Sequence, residues 1–522
     1  MATTDTFNAA RLRHVNAADV NAGGDYVLYW MQLYRRFDAN HALNYALACA
    51  QHYQKPLVVY EGLKLGYPWA SRRLHRFILE GMLDNRRAAE SLGLTYWPFV
   101  ETPQNSGRGL LRSLAAKAAV VVTDDFPCFI IPDQTAALAA KTTTPVIAVD
   151  GNSIVPISQL GAPVAAAAHL RPRIHRAFAM AWDNRAGPRR KIPDIARKKL
   201  APPFETWQTR DLDKFLAALP LDASVPPVPG ITGGSEAAKT RLADFVRHRL
   251  PGYAEHRSKP TAPADGHASG LSPYLHFGHI SIEQVAEAVL GEDWTTKSLE
   301  EKHRGKREGY FTRNPDVNSF LDEALTWRDV GMNWHWARRN DAASLKTALP
   351  TWALATLDKH SADKRAALYT LEQFEAGETH DPLWNAAQRE LVATGTIQNY
   401  LRMLWGKKVL EWSKTPETAY QTLVHLNNKY ALDGRNPNSY TGILWCFGLF
   451  DRPWAPERDV YGVIRYMSSE NTAKKFKLAG YYEYVDRLPT IEEVRTGKTR
   501  NPNVQEPKSQ RSSKSQGPML LE

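Results

Sequence analysis

The sequence predicts an α/β domain built on a parallel five-stranded sheet, followed by a long linker and an all-α domain. Three observations carry that prediction. Between residues 25 and 150, short apolar runs alternate with helix-length stretches. Residues 151–235 are alanine-rich, then basic, then proline-rich. From 236 to 485 the apolar residues recur with a helical period and without strand alternation.

Each element follows from its residues in order. Residues 1–24 form an N-terminal extension. Runs at 26–31 (YVLYWM), 56–60 (PLVVY), 95–100 (TYWPFV), 119–123 (AVVVT) and 145–149 (PVIAV) are apolar nearly throughout and bounded by turn or polar residues. Strands of that kind are buried on both faces, as in a parallel sheet. Helical stretches at 40–53, 72–94 and 109–118 separate them, as the crossovers of an α/β domain do. Neither GxGxxG nor GxxxxGKS/T follows any strand, so the usual dinucleotide and P-loop cradles are missing. The linker, through RPRIHRAFAMAWDNRAGPRRKIPDIARKK and LPLDASVPPVPGITGGS, reads as a connector over the surface. Ser235 is placed to N-cap a helix over 236–250. The tail, 486–522, is polar and basic and is expected to be disordered.

Composition bounds the function. The chain has 522 residues, 43% hydrophobic and 23% charged, enough for two or more sizeable cores. Three scattered cysteines, Cys49, Cys128 and Cys446, exclude a disulfide framework and a CxxC motif. No motif for hydrolytic or metal chemistry is present, and no metal is expected. There is no run of about 18 apolar residues, so no membrane-spanning helix is expected. The start, MATTDTFNAARLRHVN, lacks the apolar core of a secretory signal. A bacterial-type cytoplasm is the expected location, with nucleus or organelle as alternatives. Lysines and arginines number 66 against 55 acids, a net +11 that favours phosphate-bearing partners but also serves a merely soluble surface.

Four passages of the helical domain are dense in chemistry. The first holds Tyr253, Arg257 and SGLSPYLHFG, in which Ser269, Leu271 and Ser272 open a helix. Free amides there suit an anion, and a plain capped helix start explains the same residues. The second is FLDEALTWRD, where Glu323 and Trp327 stand at i and i+4 on one helix face. An aromatic neighbour raises a carboxyl pKa and favours its proton-donating form; a solvated glutamate beside a core tryptophan is the plainer alternative. In the third, DPLWNAAQ leads to YLRMLWGKKVLEW, and the helical period puts Tyr400, Met403 and Lys407 opposite Trp405 and Trp412. Such a helix either divides core from surface or separates a pocket from an interior tryptophan chain. The fourth, LNNKYALDGRNPN, is a loop of polar types that holds a ligand or turns the chain.

Taken in order, SGLSPYLHFG, FLDEALTWRD, DPLWNAAQ, YLRMLWGKKVLEW, LNNKYALDGRNPN and IRYM, with AVDGNSIVP before them, resemble the photolyase/cryptochrome family, and in particular its class II cyclobutane pyrimidine dimer photolyases. The similarity runs from about residue 25 to 480. It implies an N-terminal antenna domain, a helical domain binding FAD, and light-driven repair in which excited, fully reduced flavin lends an electron to a pyrimidine dimer in DNA. The protein then supplies position and electrostatics. By this resemblance Tyr253, Ser269, Leu271 and Ser272 contact the FAD phosphates and ribityl chain, and Arg257 lies near those phosphates and DNA. Asn427 faces flavin N5, with Asn438 as the fallback. Arg402 and Asp433 form an ion pair beside the ring, and Gly434 and Arg435 continue that loop. Glu323 hydrogen-bonds the dimer carbonyls. Trp327 and Trp445 pack on the flipped bases, and Tyr400 and Met403 line their pocket. Arg465 fills the duplex gap or meets phosphate. Trp384, Trp405 and Trp412 match an electron relay that photoreduces oxidised flavin. A second antenna chromophore of open identity (deazaflavin, folate or flavin) belongs with the α/β domain, and the expected partner is ultraviolet-damaged DNA bound by a monomer.

Three stretches depart from the family pattern: Ile397-Gln398-Asn399 before the Tyr400 helix, Leu33-Tyr34-Arg35-Arg36 after the first strand, and RDVGMNWHW over 328–336. They lie near the pocket or the antenna. Retained Glu323, Trp327, Met403, Asn427, Trp445 and Arg465 favour repair. The alternatives are a cryptochrome-like light sensor with the same fold and FAD, a photolyase for the (6-4) photoproduct, and a DNA-binding module without flavin chemistry.

Overall fold

The computed structural model describes residues 9–187, 191–338 and 341–498. All five expected strands form, and a sixth joins them. The strands are β1 (Leu12–His14), β2 (Tyr26–Met31), β3 (Leu57–Leu63), β4 (Thr95–Val100), β5 (Ala118–Asp124) and β6 (Val146–Val149). Their order is β1-β6-β5-β2-β3-β4. Strands β2 to β6 run parallel, whereas β1 pairs antiparallel with β6. The sheet is therefore mixed and six-stranded, not the parallel five expected. Three residues of the N-terminal extension, too short for a periodic signal, supply the extra strand. Every residue of β2 and β5 is buried, which explains why both read as unbroken apolar runs.

Helices His41–Tyr53, Arg72–Leu92 and Leu110–Ala116 cross between the strands. The side chains of Asn40 and Ser71 cap the first two by accepting from Leu43 and Leu74. Because the chain leaves β2 toward β3 and later returns to β2's other side with β5, the strand order reverses between β2 and β5. A crevice opens at the carboxyl ends of strands at such a reversal. Asp124, at the end of β5, accepts the backbone N–H groups of Gln32, Leu33 and Tyr34 at 2.9, 2.7 and 2.8 Å, fixing the loop after β2.

Segment 151–235 is more than a surface connector. It contains the helix Ala167–Asp183, which buries Leu170, Ile174, Phe178 and Trp182. Its Arg171 makes a buried two-point ion pair with Asp322, at 2.6 and 3.0 Å. Ser235 does not cap the next helix. Gly234 is the N-cap, and the free N–H of Glu236 is taken by Asp84 at 3.1 Å. That helix, Ser235–Asp244, continues as a π-helical turn, Phe245–Arg249. From there to 485 the described residues are helices and loops. The expected tail also starts too early, because Ile491–Thr496 is a helix with a Thr490–Glu493 capping box and buried Ile491 and Val494; positions 499–522 lie outside the described residues.

The α/β and helical parts meet closely. Gly278, with φ +71°, sits where any Cβ would collide with the Leu33 carbonyl oxygen. Its own carbonyl accepts from Arg36 at 2.9 Å. Two of the three departures thus have a physical role. Arg36 braces this contact. In RDVGMNWHW, buried Asp329 accepts from the Ser153 hydroxyl while Arg328 donates to the Asn152 carbonyl at 2.6 Å, tying the helix to AVDGNSIVP. Burial pushes the Asp329 carboxyl up to about 7.

Candidate active site

Three helices surround the first part of the site: Asn399–Glu411, Pro416–Tyr430 and Pro437–Trp445. Each starts with a side-chain cap, from Gln398, Thr415 and Asn436, and the last two carry proline in the first turn. Between them lies a cavity lined by Arg402, Met403, Trp405, Asn427, Asn438 and neighbours. Arg402 and Asp433 pair as expected, Nη2 to Oδ1 at 3.1 Å and Nη1 to Oδ2 at 3.4 Å. Burial pushes the Asp433 carboxyl up, but Arg402 and a hydrogen bond from Ser272 outweigh it and hold it below the usual range. Arg402 Nε is buried and has no hydrogen-bond partner among the described residues.

The loop after Asp433 is held from beneath. Asn428 accepts the Arg435 N–H at 2.9 Å, and its carbonyl takes the Arg435 guanidinium. A Cβ at Gly434 would stand 2.8 Å from the Asn427 carbonyl oxygen, so this turn lies flat against the helix only with glycine. Arg435, at φ +60°, accepts a left-handed backbone there. Asn427 and Asn438 both border the cavity, and the lining alone does not choose between them.

A second part lies on the π-helical turn Asp322–Trp327, a local widening common at functional sites. Glu323 Oε1 stands 2.8 Å from Arg257 Nη2. Burial raises the Glu323 carboxyl and Arg257 opposes it, with a net upward shift. Burial, rather than the Trp327 ring, is the main cause. Trp327 is 38% exposed, unusual for so large an apolar side chain. Arg257 lies over the Tyr253 ring, which is packed edge-on against Phe320.

The tryptophans form one array. Trp384 stacks on Trp405 with ring centres 6.2 Å apart and planes 9° from parallel, and Trp412 meets Trp384 edge-on at 6.1 Å. Trp384 Nε1 donates to the Trp405 carbonyl at 3.0 Å. All three are buried, and Trp405 alone of them borders the cavity. Both faces of the Asn399–Glu411 helix are therefore interior, since Lys407 opposite is buried too and donates to the Cys446 carbonyl at 2.8 Å.

Other expected residues sit further out. Trp445 carries Lys407 Nζ over its ring at 4.7 Å and Arg465 at 5.5 Å. Arg465 makes a two-point pair with Asp451, at 2.8 and 3.0 Å, and lies on Trp454. Tyr400 packs against Phe476 and Lys475, whereas Met403 borders the cavity. Ser269 accepts the Leu271 N–H at 3.3 Å, and Leu271 is buried. That amide is thus already engaged by the protein.

Sequence reasoning passed over three positioning residues. Gln388 accepts from Trp405 Nε1 at 3.0 Å; it stands at i+4 from Trp384 on the same helix, a spacing that was readable. Arg241 donates to the Ser269 carbonyl at 2.7 Å. Gln398, one of the departures, accepts the Leu401 N–H at 3.0 Å and donates to the Arg257 carbonyl at 3.3 Å. It joins the Arg402 helix to the Arg257–Glu323 pair. Gln398→Ala is expected to cost about 1 kcal/mol, as other lost N-caps do, and to lower the melting temperature measured by circular dichroism. An unchanged melting temperature would refute this bracing role.

A second cavity, open to solvent on one side, lies at the strand-order reversal and is lined by Trp30, Gln32, Arg35, Tyr60, Phe126 and His276 among others. Gln32 Oε1 and Arg35 Nε are buried there without hydrogen-bond partners among the described residues.

No protein-family model matches the chain. Solved structures share its fold: a class III photolyase from Agrobacterium tumefaciens, with TM-score 0.60 and 18% identity over 91% of this chain and 89% of that one, and a Synechocystis cryptochrome, with TM-score 0.60 and 16% identity over 90% and 91%. The fold is that of the photolyases and cryptochromes. Among curated relatives, the deoxyribodipyrimidine photo-lyase of Methanothermobacter thermautotrophicus is 34% identical over 92% of this chain and 98% of its own length. That of Oryza sativa is 32% identical over 96% and 95%. The chain belongs to the deoxyribodipyrimidine photo-lyase family, a family of enzymes.

Proposed function

We propose that the chain repairs cyclobutane pyrimidine dimers in DNA, using light and bound FAD in its fully reduced form, and that it acts as a monomer. The observation that carries this reading is the tryptophan array that starts at the wall of the Arg402–Asn427 cavity and runs through Trp384 to Trp412. A module that only binds DNA has no use for it. The residues of the cavity fit a flavin. Arg402 Nε is a buried donor left without a protein acceptor, which a ligand acceptor would satisfy, and Asn427 offers an amide beside it.

Held by Arg402, Asp433 and Asn427, FAD would supply light-driven one-electron chemistry at the dimer. The chain does the rest. Arg402 and Asp433 hold a fixed charge pair at the cavity wall, so little reorganisation is needed when charge moves. Glu323, raised by burial, donates a hydrogen bond toward a substrate carbonyl, and Arg257 holds its side chain in place. Exposed Trp327 gives a flipped base a stacking surface. Arg465, lying over the Trp445 ring, offers the duplex a further cationic and aromatic contact. The net charge of +11 supports binding that weakens as salt rises. The α/β cavity, with its aromatic walls and two polar atoms that have no partner among the described residues, suits a second planar chromophore; the related fold of a Sulfolobus tokodaii photolyase was solved with two FAD molecules.

The test is loss of dimers from ultraviolet-irradiated oligothymidine mixed with reduced protein, in blue light and in the dark. Loss in the light alone is the expected result. A protein that carries reducible FAD yet repairs nothing would be a sensor.

A further inference from the structure

Two tryptophans stand at the Arg402–Asn427 cavity in surroundings of different charge. Trp405 borders it and donates from Nε1 to the neutral Gln388 side chain at 3.0 Å, a contact that steadies positive charge on an indole. Among the described residues no cation lies over its ring. Half-buried Trp445 directly precedes Cys446, which also borders the cavity. Lys407 Nζ lies 4.7 Å from the centre of the Trp445 ring, and the Arg465 guanidinium lies 5.5 Å from it. Lys407 is 0% exposed, and its ammonium donates to the Cys446 carbonyl at 2.8 Å. Among the described residues it makes no ion pair: nearby Asp451 is paired with Arg465, and Glu411 with Lys408. A fully buried lysine normally has a carboxylate partner. This one is set against an aromatic ring instead, where loss of water strengthens the attraction.

We propose that Lys407 keeps Trp445 from being oxidised, so that photoreduction draws its electron through Trp405. The inference rests on the FAD and relay readings above. An indole that gives one electron to photoexcited FAD becomes a radical cation; the flavin gains that electron, and no proton has to move. At Trp445 the cation would form between two fixed positive charges in a medium of low dielectric, where like charges repel far more than in water. At Trp405 it would form beside a neutral acceptor. Trp445 is the ring read above as meeting the substrate, and a positive charge there would draw an electron back from the dimer. Burial lowers the Lys407 ammonium to about 8, with Cys446 and Asp451 opposing and Arg465 assisting. The groups that face it are Cys446, Asp451, Arg465, Tyr461 and Glu411. Burial pushes the Cys446 thiol up to about 11 and the Tyr461 phenol well above its usual value. Burial also raises the Asp451 carboxyl, but Arg465 and Trp454 outweigh it and hold it low. Lys407 is therefore charged at neutral pH and sheds that charge in mild alkali.

The experiment follows tryptophan radicals after a blue flash in the full-length protein carrying oxidised FAD, by electron paramagnetic resonance and transient absorption. Trp405→Phe alone should give no tryptophan radical at neutral pH. Adding Lys407→Met should bring one back on Trp445 and speed photoreduction about tenfold or more over Trp405→Phe, the change that ~59 mV makes for one electron. A further Trp445→Phe should abolish both gains. Lys407→Gln keeps a donor for the Cys446 carbonyl without the charge and should act as Lys407→Met does, which a packing role would not allow. In flavin-free protein with carbon-13 at the lysine ε-carbons, nuclear magnetic resonance should show a lysine titrating near 8 that is missing from Lys407→Met. Trp405→Phe with native Lys407 should gain the Trp445 radical as pH rises through that same midpoint. A Trp445 radical in Trp405→Phe at neutral pH, or a Lys407 already uncharged there, would overturn the proposal. Radicals in the wild type with none on Trp445 in either Lys407 variant would leave the relay standing and remove Lys407 from it. No radical in the wild type, but one on Trp445 once Lys407 is replaced, would sink the relay and uphold the role of Lys407.

Discussion

Glu323→Ala is expected to lower the yield of dimer splitting by about tenfold or more while leaving FAD bound. The estimate comes from hydrogen bonds to charged groups, which contribute about 1.5–3 kcal/mol each. In the proposed reaction the charge would develop on the substrate carbonyl only after an electron arrives, so the loss should fall on the reaction rather than on flavin affinity. The substitution also leaves Arg257 without its carboxyl partner. Glu323→Gln separates the two contributions, because an amide donates a hydrogen bond without ionising. Since burial raises the Glu323 carboxyl, its proton-bearing form declines as pH rises through that raised value. Repair by the native protein should fall over that interval, and repair by Glu323→Gln should not. Loss of flavin absorbance in Glu323→Ala, with repair by the residual holoprotein unchanged, would sink the lesion-contact role.

Trp405→Phe should slow photoreduction of bound FAD by well over tenfold and spare repair by chemically reduced protein. A phenyl ring is harder to oxidise than an indole by far more than the ~59 mV that make a tenfold difference for one electron. Trp405 is the member of the array that borders the cavity, so no stacked neighbour bypasses it. The change also orphans the Gln388 carbonyl, at 0% exposure, which costs about 1–3 kcal/mol for an unsatisfied buried acceptor. Pairing it with Gln388→Leu removes that penalty and isolates the electron-transfer effect. The check is flavin bleaching under blue light with excess thiol. Normal bleaching in both variants would remove Trp405 from the relay.

The strands of the sheet were legible because burial on both faces leaves runs such as YVLYWM with no polar interruption. Strand β1 was not, since LRH has neither alternation nor an apolar run; it is held by pairing with β6, information that lies more than a hundred residues away. The Arg402–Asp433 pair and the tryptophans were reached through motif order, while their mutual distances depend on how three helices cross. Tyr400 shows the limit. Its spacing puts it on Met403's side, but from the first turn of the helix its ring meets Phe476, a contact made by a residue far along the chain. Gln398 and Gly278 act through backbone carbonyls, and such partners leave no mark in side-chain patterns.

The contact between β1 and β6 bears on how the chain tolerates shortening. Arg11, just before β1, is buried and donates to the carbonyls of Asp150, Ser153 and Ile154, at 3.0, 3.1 and 2.6 Å. A chain trimmed to begin at the first long strand would strip three donors from the AVDGNSIVP turn and bare the β6 edge. Unpaired strand edges invite pairing between molecules. Such a protein should precipitate on expression although every flavin and DNA contact is intact, and affinity tags are better joined upstream of residue 9 than in its place.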